Sequence, residues 1–352
     1  MEVSKPKRYT EITVALFILL IVGILVSATL GRFKISLREI LVVLGDDFKS
    51  LWSRIFNGGA SFTPSGEVSD QVRAILNNVR LPRILMSCMV GCCLSAAGAS
   101  YQGVFQNPMA APDILGASSG AAMGAALAIL LGLSAQLVMG FAFIASLITI
   151  ALVMLISKMA LGNKVLRIIL AGIMMSSLCN AVTSFIKLVA DPTSILPEIT
   201  YWMMGSLAKT RPNSLLFAAI PMVIGLVPLL LIRWRINLLT LSDSEAKTMG
   251  VNVTLVRTVV ILCATLITAA SVSVSGLIGW VGLVVPHLAR RLVGNNYKHL
   301  LPVSMLVGAI FLLIVDNVAR NALMTEIPIG ILTAVIGAPF FIWLITRRKE
   351  TI

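Results

Sequence analysis

Apolar runs long enough to cross a bilayer recur along the whole chain, separated by short polar stretches. Read on length and hydropathy, they predict spans at 11–30, 81–105, 116–133, 136–157, 165–189, 214–233, 256–274, 276–289, 301–319 and 328–346. A helix needs about 20 residues to cross a hydrocarbon core about 30 Å thick. The run at 276–289, "GLIGWVGLVVPHLA", falls short at about 20 Å, so it predicts a partial helix sheltered by other protein. A bilayer satisfies no backbone polar groups, so the spans must be helices. The Gly- and Ser-spaced runs also lack the alternation of a membrane barrel. The fold class predicted is an all-α polytopic membrane protein of about ten transmembrane helices in a single domain over 1–352. The first two spans are separated by a polar segment containing "FNGGASFTPSGEVSD", with an amphipathic helix expected near Leu37–Phe56.

Composition agrees with this pattern. Hydrophobic residues make up 58% of 352 and charged residues 12%, against about 25% charged in a soluble domain. The net charge of +13 comes from residues scattered between spans rather than gathered in a patch, which argues against a nucleic-acid partner. It reads instead as topology. Lys and Arg concentrate in "SKMALGNKVLR" (157–167), "RWR" (233–235), "RR" (290–291) and the tail "RRKE" (347–350), all on the side of the N-terminal "KPKR". Short loops rich in Lys and Arg face the cytoplasm, so both termini are expected there and "VRLPR" (79–83) on the opposite face. The first run, Ile12–Leu30, has no small-residue cleavage site and reads as a retained span. Cys88, Cys92, Cys93, Cys179 and Cys263 lie within apolar runs and read as packing residues.

Among ionisable residues within spans, Asp316 precedes Arg320 by four positions, the spacing of a helical ion pair. Asp316 therefore reads either as a structural partner or as a transport residue. Ser177, Asn180, Ser184 and Lys187 recur at helical spacing and either line a pathway or bond to a neighbouring helix. Gly116, Gly120 and Gly124 form a smooth stripe that lets backbones approach closely, as do Gly91, Ser95 and Ala99. The small-residue helices ending at Asn107-Pro108 and at Pro286-His287 echo one another faintly, as repeat-built transporters do. His287 and His299 lack the ligand company of a metal site, and none is expected. There is no GxxxxGK[ST] phosphate loop and no HExxH. On the cytoplasmic side, Ser242 and Glu245 have capping-box spacing and Gly250 suits a helix end. The result is a short helix over about 242–253, with Ala246 and Met249 on its apolar face, serving as a connector or a docking element.

The run "RLPRILMSCMVGCCLSAAGASYQGVFQNPMAAPDILGASSGAAMG" closely resembles the signature of the iron-chelate and cobalamin uptake permeases, the membrane subunits of type II ATP-binding-cassette importers. "YWMMGSL" (201–207), "SDSEAKTMGVNV" and the C-terminal "GLIGWVGLVVPHLARRLVG" with "EIPIGILTAVIGAPFFIWLI" resemble the same family, from about Leu30 onward. The resemblance implies a ten-helix subunit that works as a homodimer with the pathway between its copies. It also implies two copies of a separate cytoplasmic ATPase, which binds the ATP and Mg, and an extracytoplasmic binding protein. This chain would then be no enzyme, hold no cofactor or metal, and sit among the lipids of a bacterial or archaeal cytoplasmic membrane. Ferric siderophore is the substrate expected first, then haem or cobalamin. By the same resemblance Arg80, Arg83 and Arg320 receive carboxylates of the binding protein. The 242–253 helix with Ser242, Glu245, Ala246, Met249 and Gly250 couples to the ATPase. The cytoplasmic gate maps near Asn163, Lys164, Val165 and Leu166, where the residues depart from the small polar ones some members carry. An ion-coupled secondary transporter is the alternative. It would need an intramembrane coupling site, for which the spans offer little besides Asp316.

Overall fold

The computed structural model describes residues 6–31, 33–56, 68–240 and 252–346, and all its regular elements are helices. They are α1 (Pro6–Thr29), α2 (Leu37–Phe56), α3 (Asp70–Ile75), α4 (Leu81–Val104), α5 (Ala117–Leu130), α6 (Ala135–Met159), α7 (Lys164–Val189), α8 (Ile195–Met203), α9 (Pro212–Leu239), α10 (Val253–Ser275), α11 (Val281–Val293), α12 (Tyr297–Asn321) and α13 (Ile329–Thr346). A π-helical turn at Leu76–Arg80 joins α3 to α4. Among the described residues, seven helices are long and apolar enough to cross a membrane: α1, α4 with its preceding turn, α6, α7, α9, α10 and α12. The other three expected spans are the shorter helices α5, α11 and α13. The expected 242–253 helix lies outside the described residues over 242–251, with Ser242, Glu245, Ala246, Met249 and Gly250, and its last two positions are the cap and first residue of α10.

Helix boundaries follow from local chemistry. The Asn163 side chain accepts from the N–H groups of Val165 and Leu166, starting α7. Asn252 accepts from Leu255 N–H at the start of α10, and Asn296 from Lys298 N–H at the start of α12. Each satisfies a backbone donor that the first helical turn leaves without a partner.

At the centre stands α4, buried for most of its length and packed against α9, α10, α11 and α12. Its small residues make this possible. A Cβ on Gly91 would collide with Gly308 of α12, and one on Gly98 with the Gly282 carbonyl of α11. Ser95 continues the stripe by donating to Ser304 O at 2.8 Å. Gly120 and Gly124 do the same for α5, meeting Thr149 and Phe141 of α6. Gly116 takes a positive φ of 80° at the N-cap of α5, a conformation that favours glycine.

Side-chain contacts give the helices their directions. At one end of the bundle Tyr9 of α1 stacks on His299 of α12, with ring centroids 4.1 Å apart. At the other, Ser27 of α1 donates to Asn317 of α12. So α1 and α12 run parallel. Arg83, at the start of α4, reaches Asp316 near the end of α12, so α4 runs the opposite way. The partial helix expected at 276–289 begins at Val281, after the irregular stretch Gly276–Trp280. Its 13 residues rise about 20 Å. The start lies against the middle of α4 at Gly98, and the unwound backbone before it is enclosed by Met204, Gly205 and Gly330. Irregular backbone is tolerated at membrane depth only where protein encloses it.

Candidate functional site

The end of the bundle where α1 and α12 finish and α4 begins holds a buried cluster of charge. Arg80 and Arg83, exposed by only 5% and 6%, are joined there by Arg320. Arg83 Nε donates to Asp316 Oδ1 at 2.9 Å, and its Nη1 donates to both carboxylate oxygens of Glu326 at 2.9 Å. The ion pair expected within α12 is present, with Arg320 Nε 3.2 Å from Asp316 Oδ2. The other limb of Arg320 donates to Asn317 Oδ1 at 2.6 Å and to Ser27 Oγ at 2.9 Å. Arg80 points elsewhere. It donates to the carbonyls of Ala28 and Phe33 and lies close against Gly31. A cation on the Ala28 carbonyl in the last turn of α1 satisfies an acceptor that a helix end leaves open and suits the helix dipole.

The three arginines expected to receive the binding protein's carboxylates are shielded in this structure, and two of them already face acids. For Arg83 and Arg320 the acid comes from the same chain: fully buried Asp316 serves both, and half-buried Glu326 closes over Arg83. The physical reason is cost. An unpaired charge at this depth is expensive, so the three guanidinia gather two carboxylates and several oxygen acceptors around themselves. Glu326, which sequence reasoning did not single out, lies in the turn between α12 and α13, where no periodicity links it to Arg83.

At the opposite end, the two echoing proline motifs touch. The His287 ring nitrogen Nε2 lies 2.9 Å from Pro108 O. A carbonyl only accepts, so Nε2 carries the proton. Asn107 caps the same turn by accepting from Met109 N–H, and Pro286 is buried within α11. Asn237 bridges α9 and α12 here, donating to Asn296 and accepting from Tyr297 N–H. The 163–166 segment forms the start of α7, with Leu166 exposed. Further along α7, Ser177, Asn180 and Ser184 lie exposed beside Met174, Leu178 and Phe185, and Lys187 is half-buried. The structure thus gathers Arg80, Arg83, Arg320 and Asp316 at one end. The residues of α7 stand apart on an outward face. Among the described residues no three His, Cys, Asp or Glu side chains come together as a metal site.

The model of the FecCD transport family matches residues 19–347. The molybdate import system permease protein MolB of Haemophilus influenzae is 39% identical over 346 residues, covering 98% of each chain. The hemin transport system permease protein HmuU of Yersinia pestis is 36% identical over 342 residues, covering 95% of each. Among solved structures, a metal-chelate type ABC transporter in an inward-facing conformation superposes with a TM-score of 0.83 at 38% identity. That match covers 96% of this chain and 99% of the other.

Proposed function

The chain belongs to the FecCD transport family, and from that premise we propose that it forms the translocation pathway of a binding-protein-dependent importer for an iron chelate. It is a non-catalytic permease subunit; the ATP and Mg belong to a separate ATPase. The observation that carries this reading is the family match over 19–347 together with the superposition on a metal-chelate type transporter. A ferric siderophore is the first substrate expected, then haem or cobalamin. Such bulky cargo is handed over by a binding protein and needs no ligand cage in the channel. That agrees with spans lined mainly by apolar and small residues.

Two copies of the chain enclose the pathway in this reading. Exposed Ser177, Asn180 and Ser184 support it, because polar side chains are costly against lipid and are placed toward a bundle interior or water. The binding protein docks at the Arg83 end, where Arg83 and Arg320 share two carboxylates and Arg80 beside them has only carbonyl partners, so the cluster is one negative charge short. An incoming carboxylate would replace Glu326 on Arg83. Glu326→Gln should then tighten binding-protein affinity several-fold by removing the internal competitor. Unchanged affinity would contradict docking through Arg83.

A second reading, molybdate, is favoured by the 39% identity to the Haemophilus influenzae permease. Calorimetric titration of the cognate binding protein with a ferric siderophore, haem, cobalamin and molybdate separates the two. Tight binding of a ferric siderophore, haem or cobalamin supports the first reading, and tight binding of molybdate alone replaces it.

A further inference from the structure

The amphipathic helix α2 is not accounted for by the transport reading. It is locally well specified. Ser36 Oγ accepts from Glu39 N–H at 3.3 Å, and Glu39 Oε2 accepts from Ser36 N–H at 2.7 Å, a reciprocal capping box. The Ser36 hydroxyl, which donates to the same Oε2 at 2.7 Å, and the Ser36 N–H hold the Glu39 carboxyl below its ordinary value. One face of α2 is committed to the protein. Ile40 and Val43 are fully buried in a cluster with Ala28, Val72, Leu76 and Leu313. Asp46 pairs with Arg73 at 2.8 Å, and Asp47 accepts from Asn77 at 2.7 Å.

A second face is apolar and open. Leu37, Leu41, Phe48 and Trp52 are all about half exposed or more. At 100° per residue they fall within a sector about 60° wide. Arg38 and Lys49 are exposed along one flank of that sector. With charges at Arg38, Glu39, Asp46, Asp47 and Lys49, the helix does not qualify as a span. It follows α1 after seven residues, and the exposed apolar surface of α1 continues into it through Leu30 and Phe33.

We propose that α2 is an interfacial helix lying in the lipid leaflet at the Arg83 end of the bundle. Leu37, Leu41, Phe48 and Trp52 enter the acyl region, and Arg38 and Lys49 meet lipid phosphates. An apolar stripe carrying a tryptophan and flanked by cations is the composition that binds this boundary. Continuity with the lipid-facing surface of α1 selects lipid over a protein partner as the occupant. The helix then braces the charged cluster: its buried face holds α3 and the π turn, which place Arg80 and Arg83.

The test uses the full chain in lipid nanodiscs, comparing it with Trp52→Phe so that the difference isolates Trp52 fluorescence. Lipids brominated in the upper acyl chain should quench that component by roughly half, with aqueous iodide quenching it much less. A component quenched mainly by iodide, or by neither agent, overturns the proposal, the second result indicating cover by protein. If Trp52→Phe does not fold, a benzophenone amino acid in place of Phe48 supplies the answer: crosslinks to lipid support the proposal, and crosslinks to protein overturn it.

Discussion

Arg83 and Asp316 lie 233 residues apart in sequence and 2.9 Å apart in space, joining the start of α4 to the end of α12. Asp316 is fully buried and also serves Arg320, so it is the hub of the cluster. Removing one partner of a buried pair leaves the other charge uncompensated and costs about 3–5 kcal/mol. Asp316→Leu should fall in that range. Glu326 is a third exposed, and Glu326→Gln should cost about 1 kcal/mol or less. Thermal unfolding of the purified variants checks the ranking; equal losses would contradict the hub role.

Gly98 faces the Gly282 carbonyl so closely that a methyl group has nowhere to go, whereas Gly140 of α6 has open space around it. Gly98→Ala should cost about 3 kcal/mol or more by forcing α4 and α11 apart. Gly140→Ala should be neutral or gain up to about 1 kcal/mol, since alanine is the better helix former. Expression yield and thermal midpoint decide.

Asp191 is solvent-exposed between α7 and α8, where its Oδ1 accepts from the N–H and hydroxyl groups of both Thr193 and Ser194. These donors lower its pKa to about 2 from 3.8. A depressed carboxylate stabilises the fold above its unfolded pKa, and that contribution is lost as pH falls through the folded value. The difference in thermal midpoint between the wild type and Asp191→Asn should persist at neutral pH and shrink as pH drops from 3.8 through about 2. A difference independent of pH would show that the charge does not matter there.

If the segment containing Glu245 and Met249 couples to the ATPase, as the family resemblance implies, Glu245→Arg with Met249→Asp should uncouple or release the ATPase. Co-purification and ATP hydrolysis stimulated by the binding protein measure this. Both unchanged would remove the coupling role from that segment.

Much of the helical layout was legible because a bilayer forces apolar runs into helices, and each expected span has a helix at or near its place. The Asp316–Arg320 pair was legible from its four-residue spacing, and the half-length of α11 from its short run. Glu326 was not. Its partner lies across the bundle on another helix, and ion pairing between distant segments leaves no periodic trace in sequence. The burial of Arg80 was equally hidden, because its acceptors are backbone carbonyls at and just beyond the end of α1, a group every residue carries. The six-residue α3 and nine-residue α8 lack the length that makes a hydrophobic run conspicuous.

The central claim is that this permease moves an iron chelate by the work of a separate ATPase. Reconstituting the chain in proteoliposomes with its cognate ATPase and binding protein tests it most directly. The account predicts accumulation of ferric siderophore that requires ATP and all three proteins. Accumulation driven by a proton or sodium gradient, with the ATPase left out, would contradict it.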